Sequence, residues 1–441
     1  GNFSMTGAVT ASVVNTETVG AISGAGYNVI TVTPGTGTGF TSLTATSLSR
    51  VERGTFLMRG TNIGSAGSGN VGNLIFSTAP TGDLVGGVGA AGTTSISILG
   101  YAIGDTSGSS TGNTFVTYGP NGIRALNTTT EFAANLTSGA TTNARLTAST
   151  ANNSSVTVNS LALASSGAIT GTGTVNVTSG AILNNNSSAT ISNTIAFGSA
   201  EGNIFTPSAL TINGNLTGSN GLTKSSTGLL TLTGNNTGLT GQLTVNGGIV
   251  AFNSVNALAG SGDIVINGAS GSTTTTSGTG LRYTGATAAT VNRNINAGSG
   301  WINLNSSTSS LTVSGVISGN AGLWVNTTGD VNLTGNNTYT GPTFVYNGNI
   351  RISSDANLGN GGGMNFGATS TVGMILDGNW TTSRHINLSF SSLLNTQSFN
   401  ATWNGAVTSF NDNSLSNTTA TLNKSGSGSL TLTQANTFAG S

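Results

Sequence analysis

Leu222-Thr223-Lys224-Ser225 leads into Leu230-Thr231-Leu232-Thr233-Gly234-Asn235-Asn236-Thr237 and then Leu243-Thr244-Val245-Asn246-Gly247. The central run returns as Val331-Asn332-Leu333-Thr334-Gly335-Asn336-Asn337-Thr338, and again as Leu430-Thr431-Leu432-Thr433-Gln434-Ala435-Asn436-Thr437. The offsets are 101 and 99 residues. The flanks hold register: Leu323-Trp324-Val325-Asn326 and Leu422-Asn423-Lys424-Ser425 precede the later copies, and Gly228, Gly329 and Gly428 stand between flank and run. Phe344-Val345-Tyr346-Asn347-Gly348 matches the downstream strand, and Ile249 matches Ile350. Biased composition alone would give matches at many offsets; a constant offset marks true repetition.

Within each superperiod, apolar residues come in bursts of three to five with inside-outside alternation. Gly, Asn-Gly, Asn-Asn or Ser-Gly separates the bursts and supplies turn backbone. No burst buries its apolar face alone, whereas stacked coils cover one another. A row of sandwiches would require hairpin turns and a buried aromatic in every unit, and Asn-Gly also marks hairpins. Short strands, small residues and Asn/Ser/Thr stacking fit a parallel β-solenoid better. Coils of about 20–25 residues give roughly 18–22 coils and a rod on the order of 90–100 Å.

Composition agrees. The 441 residues include 68 Gly and, by count, 75 Thr, 57 Ser and 54 Asn. Charged residues make up 5%, so helix-forming surface residues are almost missing and strand-and-turn chemistry remains. In a parallel stack a repeated charge faces its own copies about 4.8 Å away, so the low charge follows from the architecture. Eleven scattered basic residues in a neutral chain argue against nucleic acid as a partner. With no Cys there is no disulfide or thiolate metal site. No apolar run reaches 18 residues.

The organisation expected is an irregular β-rich section over 1–165 and a repetitive solenoid over 166–441, with repeats near 221–260, 322–360 and 421–441. Charges are denser around Arg50, Glu52, Arg53 and Arg59. Leu74 to Pro80 and Phe115 to Leu126 read as strands with looped connections, and Gly86 to Gly112 as an excursion from the coil axis. The start at Gly1-Asn2-Phe3 carries no signal peptide, and Ala439-Gly440-Ser441 falls inside an unfinished repeat. The expectation is a section of a longer secreted protein whose solenoid continues, or self-associates, at both ends.

The repeats resemble the passenger-associated transport repeat of autotransporters, most closely at Asn336-Asn337-Thr338-Tyr339-Thr340-Gly341-Pro342-Thr343. Ser47 to Arg50, Phe76 to Pro80 and Gly122 to Leu126 are similar to segments that accompany this repeat in very large bacterial surface proteins. The resemblance implies an all-β, right-handed parallel β-helix, exported across the outer membrane and displayed on the cell surface. The sequence departs from the family in holding no C-terminal β-barrel translocator, so the resemblance implies either that this domain lies beyond Ser441 or that the protein is exported differently.

Candidate chemistry is sparse. His385, the single imidazole, has Arg384 and Ile386 beside it and no triad signature. The carboxylates are Glu17, Glu52, Asp83, Asp105, Glu131, Glu201, Asp263, Asp330, Asp355, Asp377 and Asp412; none form D-x-D. Asp330 and Asp355, about one coil apart, are the pair stacking could bring together for glycan cleavage. Gly86-Gly87-Val88-Gly89 and Gly361-Gly362-Gly363 lack the Asp of a calcium nonapeptide, and Gly35-Thr36-Gly37-Thr38-Gly39 lacks the strand-helix context of a nucleotide loop. Trp301, Trp324, Trp380 and Trp403 read as core fillers or sugar-stacking rings. Asn127 and Asn135 head Asn-x-Ser/Thr triplets expected by chance at this composition. The reading is a non-catalytic stalk or adhesin with no cofactor, metal site or nucleotide, and with host or environmental glycans or matrix as its partners. A filament or sheath subunit and a polysaccharide-active lyase or hydrolase are the alternatives.

Overall fold

The computed structural model describes residues 1–8, 13–35, 39–67, 69–268, 278–307, 309–367, 372–388, 391–409, 411–412, 415–416 and 420–437. Ala439 to Ser441 and Thr36 to Thr38 lie outside them, as do the side-chain surroundings of Asp412. The fold is nearly all β, with long parallel sheets: a parallel β-solenoid. Two compact units divide the chain, Gly1–Gly248 with Ala259–Ser261, and Ile249–Leu258 with Gly262–Ser441.

The first unit opens with coils of its own. Asn2–Thr6, Tyr27–Thr33 and Thr55–Gly60 stack in parallel, as do Val14–Val19, Phe40–Ala45 and Val71–Phe76. Leu43, Phe56, Met58, Leu74 and Phe76 fill their interior. The chain then leaves the coil path. Leu84–Val85 pairs antiparallel with Ile98–Leu99, Ala102–Asp105 returns parallel to Thr55–Gly60, and Thr114–Gly119 with Gly122–Ala125 closes the sheet antiparallel.

A separate regular stack begins at Gly139–Leu146. Its first edge is covered: Asn143 donates its N–H to Thr94 and its side-chain amide to Ile96, both at 2.8 Å. Ile96, Ile98, Phe115, Leu126 and Phe132 lay an apolar cover beside Ala162, Leu183 and Phe205. The Gly-rich excursion is thus part of a cap that blunts an open strand edge. Above it the coils are short: Leu161 pairs with Ile182, Ile182 with Ile204, and Leu222 with Leu243.

Among the described residues the second unit stacks its strands in three columns. One runs through Ile302, Leu323, Thr343, Met364, Ile386 and Val407. The next runs through Leu311, Val331, Ile350, Met374, Leu394 and Lys424. The third includes Trp380, Ala401 and Leu430. The two later repeat copies therefore do not sit directly above one another. Leu323 and Val331 occupy the first and second columns, while their repeat equivalents Leu422 and Leu430 occupy the second and third. The 99-residue offset spans four coils plus one face, so the later copy starts a third of a turn further round.

The repeated Asn has a structural task. The side-chain oxygens of Asn236, Asn337 and Asn436 accept the backbone N–H of Leu216, Ile317 and Val407, at 2.7, 2.7 and 2.9 Å. Each thereby satisfies a strand N–H one coil away. The amide of Asn337 also donates to the Asn357 carbonyl at 2.5 Å. The glycine before each run is equally constrained. A Cβ at Gly329 would lie 2.2 Å from the Ser309 carbonyl, and one at Gly428 would overlap the Phe399 carbonyl. Replacing Asn337, which is 3% exposed, with alanine should cost about 1–3 kcal/mol, read as a lowered urea midpoint at unchanged m value.

Candidate functional site

In the first unit, charge is used to join segments distant in sequence. Arg50 grips Glu201 with two hydrogen bonds of 2.7 and 2.9 Å and reaches Asn203 at 3.1 Å. Arg53 stands 3.5 Å from the same carboxylate and donates to the Asn220 carbonyl. The Thr223 hydroxyl also donates to Glu201. Arg50 lies over the Tyr101 ring, whose hydroxyl donates to Asp83 at 2.6 Å. Burial and the Asp83 carboxylate push the Tyr101 hydroxyl well above its usual range. Arg124 makes a second bidentate pair with Glu131, which also accepts the N–H of Gly92 and Asn127. Burial alone would raise the Glu131 carboxyl; Arg124 and those N–H groups outweigh it and hold it below the ordinary range.

In the second unit the structure separates Asp330 from Asp355. Strand pairing sets Asp330 opposite Asn349, so a coil here is shorter than the 25 residues between the two acids. Asp330 accepts from the Asn349 amide at 3.1 Å and lies 3.5 Å from Arg351. Asp355 starts the 3-10 turn Asp355–Leu358, and its carboxylate takes the Trp380 indole N–H at 3.1 Å and Arg384 at 3.0 Å. The acid that stacking brings near is Asp377, 2.5 Å from Arg351, with Gln397 donating to it as well. Hydrogen bonding to Asp377 raises the Arg351 guanidinium above its ordinary value. A glycosidase pair needs one protonated acid and one carboxylate with substrate between them. Here a guanidinium lies between two carboxylates and bridges neighbouring coils.

The other expected candidates fall as follows. His385 Nε2 meets Asn387 and Thr408, each at 2.9 Å, and neither is a carboxylate. The Gly361 carbonyl accepts from Arg384 at 2.8 Å. Among the described residues no three His, Asp or Glu come together as metal ligands. No helix among them is long and apolar enough to cross a membrane.

Lys224 is the group that the sequence reading passed over. It pairs with Ile204 on one side and Val245 on the other and is fully buried. Its amine donates to the Ser226 and Gly247 carbonyls at 2.6 and 2.5 Å. Burial pushes its pKa well below the usual lysine value. The signal available in sequence was its alignment with Val325, an interior residue.

The tryptophans divide into two settings. Trp380 and Trp403 are interior, 5.7 Å apart and edge-on. Trp301 and Trp324 face outward on strands whose alternate residues Ile302, Leu323 and Val325 are buried. Trp324 contacts Trp301 at 5.7 Å, Phe344 at 4.3 Å and Tyr346 at 5.2 Å between ring centroids, the last nearly parallel at 26°. These three rings leave Trp324 only 3% exposed while remaining partly open themselves. The outward row continues in register from Phe344 to Asn365, Asn387 and Thr408. Asn387 donates to Asn365 at 2.7 Å and accepts from Thr408 at 2.8 Å.

No family model, curated protein or solved structure matches this chain.

The ionic clusters therefore tie coils and segments together. On the outward face of the second unit, the aromatic cluster around Trp324 leads in register into the amide and hydroxyl row Asn365, Asn387 and Thr408. Threonine and asparagine serve other outward positions, as where Thr233 donates to Asn213 and Asn332 to Thr312.

Proposed function

We propose that this chain is a section of an exported bacterial cell-surface protein, in which β-helical coils form a stiff, non-catalytic stalk or adhesin. The observation that carries this reading is the use of the polar residues. Asn236, Asn337 and Asn436 cap strand N–H groups, and Arg351 bridges Asp330 to Asp377 across coils. Their chemistry goes into holding coil to coil. Stacks of this kind resist bending because each coil is bonded to the next along its strands. The passenger-repeat resemblance supports export and display, and the same reading takes open strand edges as places where solenoids join.

The test is twofold. Antibody labelling of intact cells of the source bacterium should reach the protein without permeabilisation. Purified protein should leave uronate and neutral polysaccharides uncleaved in reducing-end assays. Cleavage that is lost in Asp377→Asn would replace this reading with the lyase or hydrolase alternative.

A further inference from the structure

We propose that the outward row of the second unit, from Trp301 through Tyr346 to Thr408, is a binding platform for a neutral polysaccharide. This goes beyond a mechanical role and does not depend on where the protein is displayed.

Three observations converge. First, three partly open rings cluster on adjacent coils around Trp324, on the outward side of strands whose inward side already supplies the core. Thr or Asn holds comparable outward positions elsewhere, as at Thr233 and Asn332, whereas here the rings cover Trp324 and keep part of their own faces open. Second, the row continues as hydrogen-bonding groups, Asn365, Asn387 and Thr408, with the His385 imidazole against the last two. Third, the in-register positions Asn303, Trp324, Phe344, Asn365, Asn387 and Thr408 include no Asp, Glu, Lys or Arg. The nearby ions Asp330, Arg351 and Asp377 are paired with one another.

A ligand for this face must offer apolar patches to the rings and hydroxyls to the amides, with no net charge. A pyranose ring does both, with C–H groups on its face and hydroxyls on its edge. An anionic polymer would find no cation in the row, and a lipid or apolar peptide would leave the amides unused. Three coil steps separate Phe344 from Thr408, on the order of 14 Å, so several sugars of one extended chain would be in contact. Tyr346 and Trp301 would carry the stacking, and Asn387 with His385 the hydroxyl contacts.

Affinity electrophoresis of the whole chain in gels cast with hydroxyethylcellulose, xyloglucan or dextran tests this. We expect retardation by at least one neutral polymer. Tyr346→Ala should weaken it about two- to tenfold, Tyr346→Phe should keep most of it, and the polymer should shift tryptophan emission of the unaltered protein. The circular dichroism spectrum of each variant checks its fold. The phenylalanine variant and the emission shift keep the test decisive should the alanine variant misfold. Unaltered mobility in all three gels with no emission shift would overturn the proposal. So would retardation only by a sulfated or uronate polymer, retardation indifferent to Tyr346→Ala, or a row occupied by a protein partner instead.

Discussion

Glu201→Ala should lower the unfolding free energy by about 3 kcal/mol and loosen residues 2–76 from the stack that begins at Gly139. Glu201 pairs with both Arg50 and Arg53, and Thr223 donates to it as well. Its removal leaves two guanidinium groups beside Asn203 and Asn220 with no counter-charge. Breaking a buried pair costs about 3–5 kcal/mol. The Arg50 side chain keeps 21% of its exposure, which places the expectation at the lower end. Other ties remain, notably Thr55 with Ser225 and the Asn246 amide with the Arg53 carbonyl. The segment should therefore loosen without detaching. Urea unfolding gives the energy, and limited proteolysis should show faster cutting before residue 80. A double-mutant cycle with Arg50→Ala isolates the coupling. A loss under about 0.5 kcal/mol would reduce the pair to ordinary surface decoration.

That clamp also marks where sequence stops being informative. Arg50 and Glu201 are 151 residues apart, and no periodicity links them. The dense charge around Arg50 was legible; its partner was not. The repeat shows the same limit in a different form. Its offset near one hundred and its alternating strands are plain in the chain, and they give parallel coils. How many coils fill the offset depends on connections that vary. Thr343 finds Met364 after 21 residues, whereas Ile249 finds Gly280 after 31. Alternation specifies which side chains face inward, but connection length specifies which face a copy lands on. Hence the one-face rotation between copies emerges only from strand pairing. The separation of Asp330 from Asp355 has the same origin, since an average coil length misjudged a local one.

Lys224 yields the second large effect, a pH dependence of stability that Lys224→Met should abolish. Lys224 pairs with Ile204 and Val245 on neighbouring strands, and its buried amine has two carbonyls as acceptors. A neutral amine has two N–H groups, and the Ser226 and Gly247 carbonyls accept both. Desolvation therefore lowers its pKa in the folded chain well below the ordinary 10.5. Between that lowered value and 10.5 the unfolded chain binds a proton that the folded chain does not. Stability must then rise with pH across this window, by up to about 1.4 kcal/mol per pH unit for one proton, and level off above it. From pH 7 to 9.5 the unaltered protein should gain stability relative to Lys224→Met. The comparison stays below the range where buried tyrosines act oppositely, since burial pushes Tyr339 up to about 12 and its ionisation on unfolding destabilises the folded state at high pH. Amine labelling gives an independent reading. The chain has two lysines, and Lys424 uses the same carbonyl two residues on, at Gly426, while remaining exposed. An acylating reagent at pH 8 should modify Lys424 fully and Lys224 only after unfolding. Equal labelling of both, or parallel stability curves for the unaltered protein and Lys224→Met, would place Lys224 in water and remove the interior amine from this account.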